Sequence, residues 1–137
     1  MDAKVEFLDE EPNGVASMIG GLIEANLANH PERSSLLKPA IVGIVAEDAH
    51  VALTLRISRG KVAVANGLAP RVDVMVRADS ETLTELSSTP LRLGFPDAFT
   101  RTGRAVTGKL FKGKLRVQGL IRHAGTVSRL NRLISIA

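Results

Sequence analysis

Residues 51–58 alternate strictly between apolar and small or polar side chains, and this period of two constrains the fold more than any other feature. Val51, Leu53, Leu55 and Ile57 are separated by Ala52, Thr54, Arg56 and Ser58. Such alternation is typical of a strand with one buried face. The apolar segment Ile41–Glu47 precedes it, and Lys61–Ala65 follows after a turn at Ser58–Gly60. Because both connections are short, the three segments are predicted to form an antiparallel meander.

The remaining elements are predicted from the same strand period and from the helical period of 3.6. In chain order they are a helix from an N-cap at Asn13 to Asn29, a strand over 72–76, a short helix over 81–88 capped by Asp79 or Ser80, short helices and loops over 91–112, a strand over 115–117 and a last helix over 120–136. Close packing is the expected reason for Gly20 and Gly21 inside the first helix, and a kink in the helix is the alternative. Residues 1–11 are acidic and expected to be weakly structured, so the chain divides into this segment and a single domain over 12–137.

Composition excludes several classes of protein. The chain has 137 residues and no cysteine, which suits one domain in a reducing compartment and favours the cytoplasm. The longest apolar run is far shorter than the ~20 residues of a membrane span. There are four Phe and no Trp or Tyr, so a single-stranded nucleic-acid platform, which needs stacked aromatic side chains, is disfavoured.

The charge is distributed unevenly along the chain. Residues 1–89 contain 8 Lys and Arg against 13 Asp and Glu, a net charge of −5, whereas residues 90–137 contain 10 Lys and Arg against Asp97 alone, a net charge of +9. This asymmetry indicates either transient contact with an anionic membrane surface or simply a lopsided solvated surface. In the last helix Arg122, Arg129 and Arg132 lie away from the apolar stripe. This pattern is normal for a surface helix docked on the domain, and it also suits a helix at a membrane interface, where the three arginines would face the membrane.

Motifs for catalysis, nucleotides and metals are weak or missing. Residues 103–110, Gly-Arg-Ala-Val-Thr-Gly-Lys-Leu, approach a phosphate-binding loop, but Leu110 replaces the Ser or Thr that holds magnesium. His30, His50 and His123 are too far apart in sequence to suggest a metal site. No Gly-x-Ser-x-Gly segment provides a nucleophile. The sequence therefore predicts no catalytic residue, no metal site and no cofactor.

Three stretches resemble the sterol carrier protein 2 family. Residues 69–76, Ala-Pro-Arg-Val-Asp-Val-Met-Val, resemble the family's strand of alternating aliphatic residues. Residues 79–86, Asp-Ser-Glu-Thr-Leu-Thr-Glu-Leu, resemble the capped helix that follows it. Residues 113–119, Gly-Lys-Leu-Arg-Val-Gln-Gly, resemble a further strand and are the most specific of the three. The order of the predicted elements agrees with the family from about residue 40 to 135.

This resemblance implies an α+β fold in which a five-stranded, mostly antiparallel sheet is covered by helices, with an apolar tunnel between the layers. A tunnel of this kind binds or transfers a sterol, a fatty acid or an acyl thioester without catalysis. The residues that would line it are Leu83, Leu86, Leu93, Phe95, Phe99, Leu110 and Phe111, with Leu130 and Ile134 closing one end. Each of these residues is equally suited to an ordinary core.

Two other functions remain open at this point. The fold could have a closed core and serve as an interaction module or as an accessory subunit of a lipid or steroid metabolic system. An enzyme would need buried titratable groups that converge on the cavity, and Asp73 and His123 are the first residues to inspect. The oligomeric state does not follow from the sequence.

Overall fold

The computed structural model describes residues 4–88, 91–92, 95–96, 115–119 and 122–135. In chain order its elements are β1 (Lys4–Phe7), α1 (Gly14–Asn29), a 3₁₀ helix (Pro31–Leu36), β2 (Ala40–Ala46), β3 (Val51–Ser58), β4 (Lys61–Asn66), β5 (Val74–Ala78), α2 (Ser80–Ser88), β6 (Leu91–Arg92), β7 (Phe95–Pro96), β8 (Leu115–Gln118) and α3 (Ala124–Ile134).

Six strands of the described residues form one mixed sheet in the order β1-β4-β3-β2-β5-β8. The predicted meander of β2, β3 and β4 is confirmed, since β2–β3 and β3–β4 are antiparallel. β5 and β8 are also antiparallel, whereas β5 joins β2 in parallel and β1 joins β4 in parallel. The α+β class is therefore confirmed, but the prediction of five strands in the sheet is wrong. Within the segment 91–112, β6 and β7 form a separate two-stranded pair that the sequence did not predict.

The additional strand is β1, in a segment that the sequence analysis expected to be weakly structured. Lys4 lies opposite Lys61 and Phe7 opposite Val64. The backbone N–H of Lys4 donates to Gly60 O at 2.9 Å, and that of Leu8 donates to Val64 O at 2.9 Å. A strand of four residues among acidic neighbours is too short to be predicted from its sequence pattern. It forms only by pairing with β4, which is distant in the sequence.

The first helix agrees with the prediction at both ends. The Asn13 side chain accepts a hydrogen bond from Ala16 N at 2.8 Å, and its Nδ2 donates to Ala52 O at 2.8 Å. A Cβ added at Gly20 would lie 2.6 Å from the Phe7 ring, so close packing explains this glycine. A Cβ at Gly21 would meet nothing within 4 Å, so the same explanation is wrong there.

Residues 67–73 connect β4 to β5 across the sheet face opposite the helices. Thr54 Oγ1 donates to Gly67 O at 2.8 Å and accepts from Ala69 N at 2.9 Å. The side chains of Leu68 and Val72 lie over Gly43, where an added Cβ would be 2.9 Å from Leu68. Because Val72 belongs to this connection, β5 begins two residues later than the predicted strand.

The core lies between the sheet and the helices. β2 and β3 contribute Val42, Ile44, Leu53 and Leu55, all at most 2% exposed. α1 contributes the stripe Val15, Ala16, Ile19, Ile23 and Leu27. α1 and α3 pack against each other, and α2 contacts α3. The interior of the described residues is therefore built almost entirely from aliphatic side chains, as the scarcity of aromatic residues predicted.

Candidate functional site

The helix-covered face of the sheet is where the resemblance places a lipid. Leu83 in α2 and Leu130 and Ile134 in α3 are all buried, and they belong to one continuous apolar cluster. The structure thus brings together three of the residues predicted to line the tunnel. The same burial is expected of ordinary core residues, so the ligand-binding role of the three stays a prediction.

The other predicted lining residues fall wholly or partly outside the described part of the chain. The main chain of Leu86 lies in α2 and that of Phe95 in β7. The side chains of these two residues are outside the described residues, as are Leu93, Phe99, Leu110 and Phe111. The segment 103–110, in which a nucleotide site was judged unsupported, also lies outside them. A continuous tunnel is accordingly not shown.

The C-terminal end of α3 is fastened to α1 and to the 3₁₀ helix. Asn26, which is 5% exposed, donates from Nδ2 to Leu133 O at 2.8 Å and to Ser135 O at 3.1 Å. Arg33 Nη1 donates to Ser135 O at 2.8 Å and to Arg132 O at 3.1 Å. These bonds satisfy carbonyl groups that a helix end leaves without intrahelical partners. The sequence signal for this anchor is the polar Asn26 within the buried stripe of α1, but the pattern alone does not identify its partner in α3.

The N-terminal end of α3 is arranged differently. His123 occupies the N-cap without a side-chain hydrogen bond, and its backbone N–H donates to Gly119 O at 2.8 Å. Ala124 and Gly125 are exposed. The two ends of α3 therefore differ, with side-chain anchors at the C-terminal end and a backbone turn at the other.

The three arginines predicted to face a membrane do not share one environment. Arg122 and Arg132 are exposed. Arg129 is partly buried, and its Nη2 donates to Thr126 Oγ1 at 3.2 Å on the same helix. Contact of these arginines with a membrane stays a prediction. Among the described residues, no helix is long and apolar enough to cross a bilayer.

Asp73 and the three histidines are the titratable residues considered for catalysis or metal binding. Asp73 is exposed, and its Oδ2 accepts a hydrogen bond from Ile41 N at 2.8 Å. His30 and His50 are exposed, and His123 lies at the start of α3. The described part of the chain contains no group of three His, Asp or Glu side chains that could hold a metal ion. Asp73 therefore links the start of β5 to β2 through hydrogen bonds with Ile41.

An open cleft lies at the end of the sheet, where the 3₁₀ helix is next to the β3–β4 turn. Its volume is about 490 Å³. It is lined by Ser34, Ser35, Leu37, Lys38, Pro39, Arg59 and Gly60. Sequence analysis did not single out these residues, because two short segments about 25 positions apart must fold before they meet.

Comparison with known proteins places this geometry in a structural class. No protein-family model matches the chain, and no curated protein matches it. Solved structures do, and they show that the chain has a sterol carrier protein 2-like fold.

Two of these structures resemble the chain over most of its length. One is described as a UbiJ-SCP2 ubiquinone synthesis protein. It has a TM-score of 0.61 and 23% sequence identity, and the match covers 88% of this chain and 92% of that protein. The other is the sterol carrier protein domain 2 of Helicoverpa armigera, with a TM-score of 0.60 and 19% identity over 93% of this chain and 92% of that domain.

Proposed function

We propose that the chain is a non-enzymatic lipid-binding protein of the cytoplasm, which holds an apolar ligand between the sheet and the helices. The observation that carries this proposal is the sterol carrier protein 2-like fold, with Leu83, Leu130 and Ile134 clustered beneath α2 and α3. Lipid pockets are mostly apolar, and among the described residues this face of the sheet is aliphatic apart from Phe7 of β1. A sterol, a fatty acid or an acyl thioester fits such a lining.

The difference in hydrogen bonding between the two ends of α3 supports a route for ligand exchange. Asn26 and Arg33 bind the carbonyl groups at the C-terminal end of the helix. At the N-terminal end, the N-cap residue His123 makes no side-chain capping bond among the described residues, and its backbone N–H donates to Gly119 O. We therefore expect the ligand to enter and leave by movement of the N-terminal half of α3 about its anchored end. Arg122 lies before this half, where it would meet an anionic membrane.

Native mass spectrometry of the expressed chain tests the proposal directly. We expect a bound lipid to copurify, and the delipidated chain to take up fluorescent fatty-acid or sterol probes. Because one structural neighbour is described as a ubiquinone synthesis protein, the competitor panel should include a polyprenyl quinone. A folded chain with no copurified lipid and no uptake of any probe would contradict the proposal.

A pair of leucine variants separates ligand contact from core stability. Leu130→Ala removes a residue of the predicted lining, and Leu27→Ala removes a buried residue of α1 outside that lining. Each should lower the free energy of unfolding by about 2–5 kcal/mol. Only Leu130→Ala should also weaken probe binding, by about tenfold or more. Equal affinities in the two variants, measured where both are folded, would place Leu130 in a closed core.

The alternative is an accessory subunit without an internal ligand. Two observations favour it as the second candidate: the full burial of Leu83, Leu130 and Ile134, and the synthesis role in the description of one structural neighbour. It predicts a ligand-free chain whose stability does not change with added lipid. Thermal unfolding with and without the lipid panel distinguishes the two, since a ligand that binds only the folded state raises the midpoint.

A further inference from the structure

The open cleft beside the 3₁₀ helix contains two positive charges that are not balanced. Lys38 and Arg59 line it and are exposed, and no acidic residue lines it. In the described part of the chain neither cation forms an ion pair or a side-chain hydrogen bond. This is notable because residues 1–89 as a whole carry a net charge of −5. A local excess of positive charge within an acidic part of the chain favours an anionic ligand.

The acidic residues around the cleft do not pair with its cations; Glu32 of the 3₁₀ helix lies 3.6 Å from His30 Nδ1 and forms no ion pair with Lys38 or Arg59. Glu6 forms an ion pair with Lys61 at 2.6 Å, and this bond, with the charge of Lys61, holds the pKa of the Glu6 carboxyl below its ordinary value. Asp73 binds the backbone N–H of Ile41. These two acids are therefore committed to other partners, and Lys38 and Arg59 remain available.

Both cations are presented by ordered backbone. Ser58 pairs with Lys61, so Arg59 and Gly60 form a two-residue turn, with Gly60 at φ +73°. The backbone N–H of Lys4 donates to Gly60 O at 2.9 Å and ties this turn to β1. Lys38 follows the 3₁₀ helix, and its backbone N–H donates to Leu36 O at 3.0 Å.

The rest of the lining suits a phosphate group attached to an apolar molecule. Ser34 is half-buried, and its hydroxyl has no hydrogen-bond partner among the described residues. Arg binds phosphate through several N–H groups at once, and Lys adds a point charge. Leu37, which is buried in the core, and Pro39 supply an apolar wall.

We propose that this cleft binds the phosphate group of a membrane lipid, with Arg59 and Lys38 as the charged contacts and the Ser34 hydroxyl as a donor. The site lies on the polar surface, whereas the proposed lipid cavity is apolar and internal. It would hold the protein on the membrane through a head group while the internal ligand is exchanged. A free phosphate compound has the same chemistry, so the experiment must distinguish the two sources.

The test uses the full-length chain, with inorganic phosphate and vesicles as the probes. Phosphate is titrated while the amide resonances of Ser34, Lys38 and Gly60 are followed by NMR. Sedimentation then compares vesicles of phosphatidylcholine alone with vesicles that also contain phosphatidic acid. The variants are Arg59→Gln and Lys38→Gln. Arg56→Gln is the matched control, since Arg56 is an exposed arginine of β3, the strand that leads into the Arg59 turn, and it does not line the cleft.

We expect Arg59→Gln and Lys38→Gln each to weaken phosphate binding and binding to phosphatidic acid vesicles by about tenfold, the effect of losing one charge-assisted hydrogen bond. Arg56→Gln should change phosphate binding and vesicle binding by less than about twofold, because solvent and salt screen an exposed charge that lies outside the cleft.

Three results would overturn the proposal or part of it. An equal loss in Arg56→Gln would show general charge attraction instead of a site. The absence of saturable shifts at the cleft amides would show that there is no anion site. Cleft shifts without vesicle binding would keep the anion site and exclude the lipid as its ligand. These readouts are independent of copurified internal lipid, so failure of the proposed function would not be confused with failure of this site.

Discussion

Gly119 lies where the end of β8 meets the start of β5, and the structure predicts that no other residue fits there. Its φ is +85°, and an added Cβ would overlap the carbonyl oxygen of Asp73. Asp73 cannot easily withdraw, since its backbone N–H donates to Ile41 O at 2.7 Å and its Oδ2 accepts from Ile41 N at 2.8 Å. Gly119→Ala should therefore be one of the most destabilising single-atom additions in the described residues.

Gly67 allows the size of this effect to be worked out. It has nearly the same backbone, with φ +80°, but an added Cβ there would meet nothing within 4 Å. Gly67→Ala should therefore lower the free energy of unfolding by only about 1–2 kcal/mol, the cost of placing an alanine in the left-handed region. Gly119→Ala should lower the free energy of unfolding by the same amount and by about 1–3 kcal/mol more, which is the usual cost of forcing an atom into a packed site. The expected totals are about 1–2 and about 2–5 kcal/mol.

Urea unfolding followed by circular dichroism provides the measurement, because the chain has no Trp or Tyr for intrinsic fluorescence. Asparagine variants separate the two contributions, since Asn tolerates positive φ better than Ala. Gly67→Asn should recover most of the stability lost in Gly67→Ala, whereas Gly119→Asn should not. If the two alanine variants lost equal stability, or if Gly119→Asn recovered fully, the contact with Asp73 would be irrelevant to stability.

Two further predictions concern a glycine pair and an acidic cap. Gly21→Ala should stabilise the chain by about 1 kcal/mol through helix propensity, whereas Gly20→Ala should gain less or destabilise because the Phe7 ring must move; equal thermal midpoints in the two variants would contradict this. Ser80 donates its backbone N–H and its hydroxyl to Asp48, which holds the pKa of that carboxyl below its ordinary value. The stabilisation is therefore present above about pH 4, the ordinary range of an Asp, and is lost as the pH falls further. Asp48→Asn should flatten the dependence of stability on pH in this acid range, and parallel curves for the variant and the natural chain would exclude Asp48 as a source of it.

The sequence was sufficient wherever the pattern was local. The alternation in residues 51–58 and the cap at Asn13 predicted β3 and the start of α1 correctly. The Gly-Lys-hydrophobic-basic-hydrophobic-x-Gly stretch predicted β8, and the structure gives a physical reason for its last glycine, Gly119. The resemblance to sterol carrier protein 2 predicted the fold that the solved structures then showed.

Features that depend on distant partners could not be predicted. β1 is recognisable only beside β4, and the Asn26 anchor only beside the end of α3. The cleft requires the 3₁₀ helix and the β3–β4 turn to meet. Of the predicted tunnel, the sequence could identify candidate apolar residues such as Leu83 and Leu130, but composition does not distinguish a hollow interior from a filled one.

The parallel pairing of β1 with β4 also has a consequence for synthesis of the protein. Lys4 lies opposite Lys61, so β1 must wait for 57 further residues to be made before its partner exists. At ~5–20 residues per second this is a delay of roughly 3–11 s. During that time Val5 and Phe7 lack the strand beside which they pack in the folded protein. The acidic residues around them, among them Asp9, place negative charge beside this unpaired strand, and flanking charge of this kind opposes incorrect strand pairing.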